Sequence, residues 1–341
     1  MDTRQHKFLV AMVLMLTVGL LLGGYAQAAE KPIVLRYAGN FPIKHFMTQM
    51  MGDWAKQVEQ RSNNRVKIEL YPAGQLYTDK DLDRALVSGA VDLGQAMPNV
   101  LAGISPAMHI LDFAMVFDDW DHFDRVYHKG DGLKITDDEA RTHNMKEVFL
   151  MPYGNTLGPI TAKRKVVTHE DLKGLKVRSM GGNIALALQA LGATPVFLSS
   201  GEVYQALQRG TIDGAVSGLT SMHERAWGEV TKYLWELYFC STTSGHTVAN
   251  LNSWNKLPPD IQKIMLDTGR ELELKYRKDV MIKENDAARA GLIKKGVEFV
   301  APSANEAAAC FKLVKPIHDE WAAKSKYCKA LFDLAEKERK K

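Results

Sequence analysis

His169-Glu170-Asp171-Leu172-Lys173-Gly174-Leu175-Lys176-Val177-Arg178-Ser179-Met180 reads as a short helix that stops on Gly174 and a strand that starts at Leu175. Glycine supplies the left-handed cap that releases a chain from a helical turn. Asn183 to Leu191 reads as the next helix, so strand and helix alternate here as they do in an α/β sheet. In open sheets of this class, ligands bind beyond the carboxyl ends of the strands. Arg178 stands at such an end. Its guanidinium is a rigid fork of donors that matches a carboxylate bidentately. Position alone leaves a second reading open, that of a plain surface arginine.

The same unit recurs outward from this stretch. Ile33 to Ala38 reads as a strand, Gly39-Asn40-Phe41-Pro42 turns it, and Phe46, Met47, Met50, Met51, Trp54 and Val58 follow at helical spacing as core residues. Val66 to Tyr71 alternates as a strand, Pro72-Ala73-Gly74 ends it, and Val91 to Ala96 gives a third strand after another helix. Ala85-Leu86-Val87-Ser88-Gly89-Ala90-Val91-Asp92 is echoed by Ala206-Leu207-Gln208-Arg209-Gly210-Thr211-Ile212-Asp213. Two similar α/β lobes explain the echo; so does convergent cap chemistry. From Leu257-Pro258-Pro259-Asp260 to Lys295-Gly296 the pattern is helical throughout. Some 35 residues at about 1.5 Å each span roughly 50 Å, more than one small domain needs.

The chain has 341 residues, 46% hydrophobic and 25% charged, with a net charge of +4. These values exclude disorder, collagen-like repeats, a polytopic membrane protein and the basic footprint of a nucleic-acid binder. Arg4, His6 and Lys7 precede an apolar run from Phe8 to Leu22, and Ala26-Gln27-Ala28 follows. This is the pattern of a signal peptide over residues 1–28, cut after Ala28, and it predicts a periplasmic protein. A membrane anchor is the alternative, but about 15 residues fall short of the roughly 20 a bilayer requires. In that oxidising space Cys310 and Cys328 could pair, or both could stay as buried thiols, and Cys240 reads as a small buried hydrophobe.

Catalytic constellations are not visible in the sequence. His169-Glu170 and His223-Glu224 lack the second histidine of a zinc motif, and no nucleophile elbow, Walker loop or dinucleotide loop follows a strand. The acidic run Asp118-Asp119-Trp120-Asp121-His122 with Asp124 does not have EF-hand spacing and reads as a solvated helix start. No metal and no cofactor are expected. A secreted hydrolase and a sensor subunit stand as the other function classes.

Several motifs together resemble one family. They are Tyr71-Pro72-Ala73-Gly74-Gln75-Leu76, Asp171 to Arg178, Gly192-Ala193-Thr194-Pro195, Glu202 to Gly214, and the helix that starts at Leu257-Pro258-Pro259-Asp260. Their order and spacing are similar to those of the solute-binding subunits of tripartite ATP-independent periplasmic (TRAP) transporters, the DctP-type family. The resemblance implies a two-lobed α/β periplasmic binding protein fold with a hinge, a ligand cleft and a long helix bridging both lobes. It puts residues 29–154 and about 245–283 in lobe I, and 155–244 and about 284–335 in lobe II, with crossings near Asn155, near Gly245 and within the long helix. It implies a monomer that binds a small organic anion and hands it to TRAP membrane permease subunits.

The resemblance also implies that Arg178 pairs with a substrate carboxylate. Asn40, Phe41, His45 and Met97 from the first lobe complete the expected site, with Tyr153, Asn155, Gly158, Met180, Ser200 and Ser217. Positions where sugar-acid-binding relatives carry polar groups are here Gly158, Met97, Val100 and Ser217. The expected ligand is therefore a monocarboxylate with an apolar or aromatic body. A small carboxylate or sulfonate is the alternative, with side chains filling the space that the small residues suggest.

Overall fold

Two long strands organise the chain. β4 (Met145–Thr161) has 17 residues and would run about 56 Å at 3.3 Å per residue. Its antiparallel partner β9 (Tyr238–Asn250) pairs with it from Met145 opposite Asn250 to Leu157 opposite Tyr238. The computed structural model describes residues 31–339, so the expected signal segment 1–28 lies outside the described residues.

The other strands attach to the two ends of this pair. β1 (Ile33–Gly39), β2 (Val66–Tyr71) and β3 (Leu93–Ala96) lie on the β9 side in the order β2-β1-β3-β9. β5 (Lys176–Ser179), β6 (Thr194–Phe197) and β7 (Gly214–Ser217) lie on the β4 side in the order β4-β7-β5-β6. β8 (Tyr233–Trp235) pairs with β4 and with β10 (Glu298–Val300). The two lobes thus share one sheet, because β4 and β9 belong to both. The sequence echo has a structural counterpart. Gly89 and Gly210 both sit in left-handed caps, with φ of 76° and 70°, and the strands that follow, β3 and β7, each pair antiparallel with one long strand.

The β4–β9 register shifts between Pro152 and Leu157, the stretch that contains Asn155. Gly154 has φ +118°, and a Cβ there would meet Asn285 Nδ2 of the long helix at 2.7 Å. This stretch of β4 and the long helix therefore touch at one point.

The long helix is continuous but not uniform. It runs as α-helix over Pro259–Tyr276, opens into a π turn at Arg277–Met281 and resumes over Ile282–Lys294. Its first half packs on the first lobe: Trp54 Nε1 donates to the Met265 carbonyl, and Gly269 lies against the Phe149 ring. Its second half packs on the second lobe: Ala288 and Leu292 share a core with Trp227 and Leu234. Arg277 in the π turn holds both oxygens of Asp124, at 2.6 and 2.8 Å. Asp119 accepts from the His122 amide as a helix cap. The acidic run is thus a helix start with an arginine partner.

The C-terminal part departs from the expected lobe division. Cys310 and Val314 of the helix Ala304–Ala322 pack with Val177, Ile184 and Leu188 in the second lobe. Trp321 of that helix, with Cys328 and Leu331 of the helix Lys326–Glu338, packs instead with Phe113, Phe123 and Tyr127 of the first. The chain crosses back near Ile317, which touches both cores. This separates Cys310 from Cys328, and all three cysteines are free and buried, so the pairing considered from the sequence does not form.

Candidate ligand-binding site

The C-terminal ends of β5, β6 and β7 converge on Arg178. Its Nε donates to the Leu198 carbonyl at 3.0 Å, Nη1 to the Val216 carbonyl at 3.0 Å and Nη2 to Ser200 Oγ at 3.2 Å. Three of five N–H donors are thereby engaged and two remain. The residue is 2% exposed. Burial lowers its pKa to about 10, with Asp79 pulling in the opposite direction. Among the described residues no carboxylate stands within ion-pair distance of it. A buried cation without a counter-ion is costly, and an incoming anion relieves that cost.

Arg178 forms part of the wall of a cavity of about 40 Å³, room for about three waters. Asn40, Phe41, Met97, Tyr153, Met180, Ser200 and Ser217, all anticipated from the sequence, line it as well. Most sit just past the ends of strands: Asn40 and Phe41 after β1, Met97 after β3, Met180 after β5, Ser217 at the end of β7. Asp79, Gln95, Asn99, Phe197, Ser221 and Arg225 also line the cavity and were not anticipated. The strand-end rule could have found Gln95 and Phe197. Asp79 and Arg225 lie on a loop and after a helix, where no local signal marks them.

Three expected residues are not in the wall. His45 is fully buried behind it, tilted against Phe41 and stacked with Tyr153 at ring distances of 4.3 and 6.0 Å. Its Nδ1 accepts from the Met47 amide as a helix cap, and burial, reinforced by Arg225, lowers its pKa to about 3. Asn155 lies within β4. Gly158 offers no room to a ligand, because a Cβ there would meet the Ala215 carbonyl at 3.3 Å. Val100, counted as a lost polar position, also lies outside the wall.

The cavity is roofed by contacts between the lobes. Asn99 Nδ2 donates to the Met180 carbonyl at 2.8 Å, Asn183 Nδ2 bonds His109 Nδ1 at 3.1 Å and Tyr153 donates to Ser221 Oγ at 2.8 Å. Inside, Asn40 Nδ2, both polar atoms of Gln95 and Arg225 Nε are buried without a hydrogen-bond partner among the described residues. Native proteins satisfy nearly all such groups, so these atoms are available to bond water or a polar ligand in the cavity.

Asp112 lies behind the site, fully buried near His109. Burial raises its pKa well above the usual carboxylate range, against smaller opposing effects of the Asn99 backbone and Arg178. An acid whose folded pKa is raised loses stability as pH climbs from about 3.9 toward that folded pKa, by up to about 1.4 kcal/mol per pH unit. Asp112→Asn is therefore expected to raise the melting temperature at pH 8 and much less at pH 4, by calorimetry. A lower melting temperature at pH 8 would contradict this.

Among the described residues, His169, Glu306 and Cys310 bring three possible metal ligands within 4.8 Å. Glu306 Oε1 already accepts from the His169 amide and from its Nδ1, both at 2.7 Å, so this group anchors the 169–172 turn. No helix among the described residues is long and apolar enough to cross a membrane.

Comparison with known proteins agrees with this architecture. Residues 38–325 match the model of the DctP family, bacterial extracellular solute-binding protein family 7. The chain is 29% identical over 302 residues to a solute-binding protein of Sulfitobacter sp. NAS-14.1, covering 88% of this chain and 90% of that one. It is 27% identical to the C4-dicarboxylate-binding periplasmic protein DctP of Rhodobacter capsulatus, covering 86% and 88%. The crystal structure of a TRAP solute-binding protein from Desulfovibrio salexigens with bound orotic acid superposes with a TM-score of 0.83 at 24% identity, covering 89% and 98%. One from Rhodoferax ferrireducens with bound malonate superposes with a TM-score of 0.81 at 23% identity, again covering 89% and 98%. With a family model spanning most of its length and two lobes on one shared sheet, the chain belongs to the DctP family and is a solute-binding protein of the TRAP type.

Proposed function

We propose that the protein captures a small, polar organic acid in the cleft, holds its carboxylate on Arg178 and delivers it to a TRAP membrane permease. The observation that carries this is the pairing of a buried arginine lacking a counter-ion with orphaned polar atoms on Asn40, Gln95 and Arg225 in a cavity of about 40 Å³. An apolar or aromatic body would leave those atoms unsatisfied, at about 1–3 kcal/mol each. The balance therefore moves from the aromatic acid expected from the sequence to the small carboxylate. Relatives bind acids of several sizes, including malonate, orotic acid and glucuronate. In this reading the mature chain starts at Ala29, acts as a monomer in the periplasm, and hinges near Asn155, Gly245, the π turn and Ile317.

A thermal-shift panel of short hydroxy, keto and dicarboxylic acids, sulfonates, sugar acids and aromatic acids tests the ligand class. Ligand at 100 times Kd adds about 2.7 kcal/mol, a rise of several degrees. Short acids are expected to give that rise. Stabilisation by aryl or indole acids alone would overturn the reading.

A further inference from the structure

Asp79 stands at the mouth of the site. It lines both the inner cavity and an outer groove bordered by Lys80, Asn99, Gly181 and Phe197. Its carboxylate makes no hydrogen bond or ion pair among the described residues. The next residue fixes its loop: Lys80 reaches Glu202 at 3.8 Å, and Glu202 accepts from the Ser199 amide at 2.9 Å. Ser199 precedes Ser200, whose hydroxyl accepts from Arg178. The Asp79 loop of the first lobe is thus tied to the loop of the second that buttresses the arginine.

Two cations, Arg178 and Arg225, line the inner cavity together with Asp79. Burial raises its pKa, while Arg178 and Arg225 pull it back. Neither guanidinium is within ion-pair distance of it, and Arg225 makes no ion pair elsewhere among the described residues. With all three groups ionised the wall carries one net positive charge. A single ligand carboxylate on Arg178 balances it. That carboxylate also becomes a second anion in the cavity that Asp79 lines, and the two repel unless a proton is shared between them. A hydroxyl on the ligand supplies that proton by donating to Asp79. A ligand without a donor does not supply that proton.

We infer that Asp79 selects for ligands that carry a hydrogen-bond donor close to the carboxylate held by Arg178, so that small hydroxy acids are taken over their deoxy counterparts. This rests on the reading of Arg178 as the carboxylate site and adds the second recognition point. Dicarboxylates without a donor are disfavoured twice, by the charge balance and by Asp79.

The test is calorimetric titration of the full mature chain with three matched pairs: lactate and propionate, 2-hydroxybutyrate and butyrate, malate and succinate. In the unaltered protein each hydroxy member is expected to bind at least tenfold more tightly than its partner. Asp79→Asn is expected to shrink that ratio below threefold by strengthening the deoxy acids, and Asp79→Ser, with melting curves to confirm folding, provides a second variant with the same expected direction. Arg178→Ala weakens both members of every pair. Equal binding within the pairs, or a ratio that survives in both Asp79 variants, overturns the inference and leaves the Arg178 reading standing. A protein that binds none of the six acids overturns the small-acid reading and the inference with it.

Discussion

Arg178→Ala is expected to weaken capture of the ligand by roughly 30- to 4,000-fold, the equivalent of about 2–5 kcal/mol for losing one partner of a desolvated charge pair. Arg178→Lys keeps the charge but not the planar fork. A lysine amine cannot meet Leu198, Val216 and Ser200 and also present two parallel donors, so it should recover only part of the loss. The stability of the empty protein should move little, or rise, because truncation removes a buried cation that has no counter-ion. Calorimetric titration and melting curves of the empty variants separate the two effects. An alanine variant that binds as tightly as the unaltered protein would show that the carboxylate sits elsewhere.

Gly182→Ala is the second large effect, and it acts without touching the ligand. Gly182 adopts φ +50° in the second lobe, and a Cβ there would lie 2.2 Å from His109 Cε1 of the first. His109 has little freedom to retreat: it is 3% exposed, stands edge-on to Phe113 and bonds Asn183. Neither Gly182 nor His109 lines the cavity. The added methyl group therefore opposes closure, while each lobe folds as before apart from about 1 kcal/mol for alanine in a left-handed conformation. Affinity falls by the fraction of molecules able to close. A closure penalty of about 2–3 kcal/mol weakens binding roughly 30- to 150-fold. Small-angle scattering should show the radius of gyration shrinking with ligand in the unaltered protein and less, or not at all, in the variant. Unchanged affinity and unchanged compaction would contradict this.

Local features were legible in the sequence because local chemistry makes them. Gly89, Gly174 and Gly210 mark helix ends that the structure places in left-handed caps. Pro258 and Pro259 mark the start of the long helix, which spans the expected residues. The π turn at Arg277–Met281 had no such mark. It sits where Arg277 reaches across to Asp124, a contact 153 residues apart that no local pattern encodes. The sharing of one sheet by both lobes was hidden for the same reason: Met145 and Asn250 are paired only in three dimensions.

The site divides along the same line. Arg178 and the residues after the ends of β1, β3 and β5 follow from strand order. Asp79 and Arg225 come together only when loops from separate lobes close on one cavity. The sequence comparison also registered lost polar groups at Gly158, Met97, Val100 and Ser217, but not the Gln95, Asn99 and Arg225 that stand in the wall instead. Gly158 looked like free space and is filled by the backbone of β7. These wall residues are the reason for proposing a small polar acid in place of the apolar or aromatic monocarboxylate expected from the sequence.

A crystal structure of the protein with the acid it carries through purification tests the central claim most directly. A small anion is expected in the cleft, with a carboxylate oxygen about 2.7–2.9 Å from an Arg178 guanidinium nitrogen. A ligand that turns a neutral or apolar face to Arg178, or one seated outside the cavity between the lobes, would contradict it.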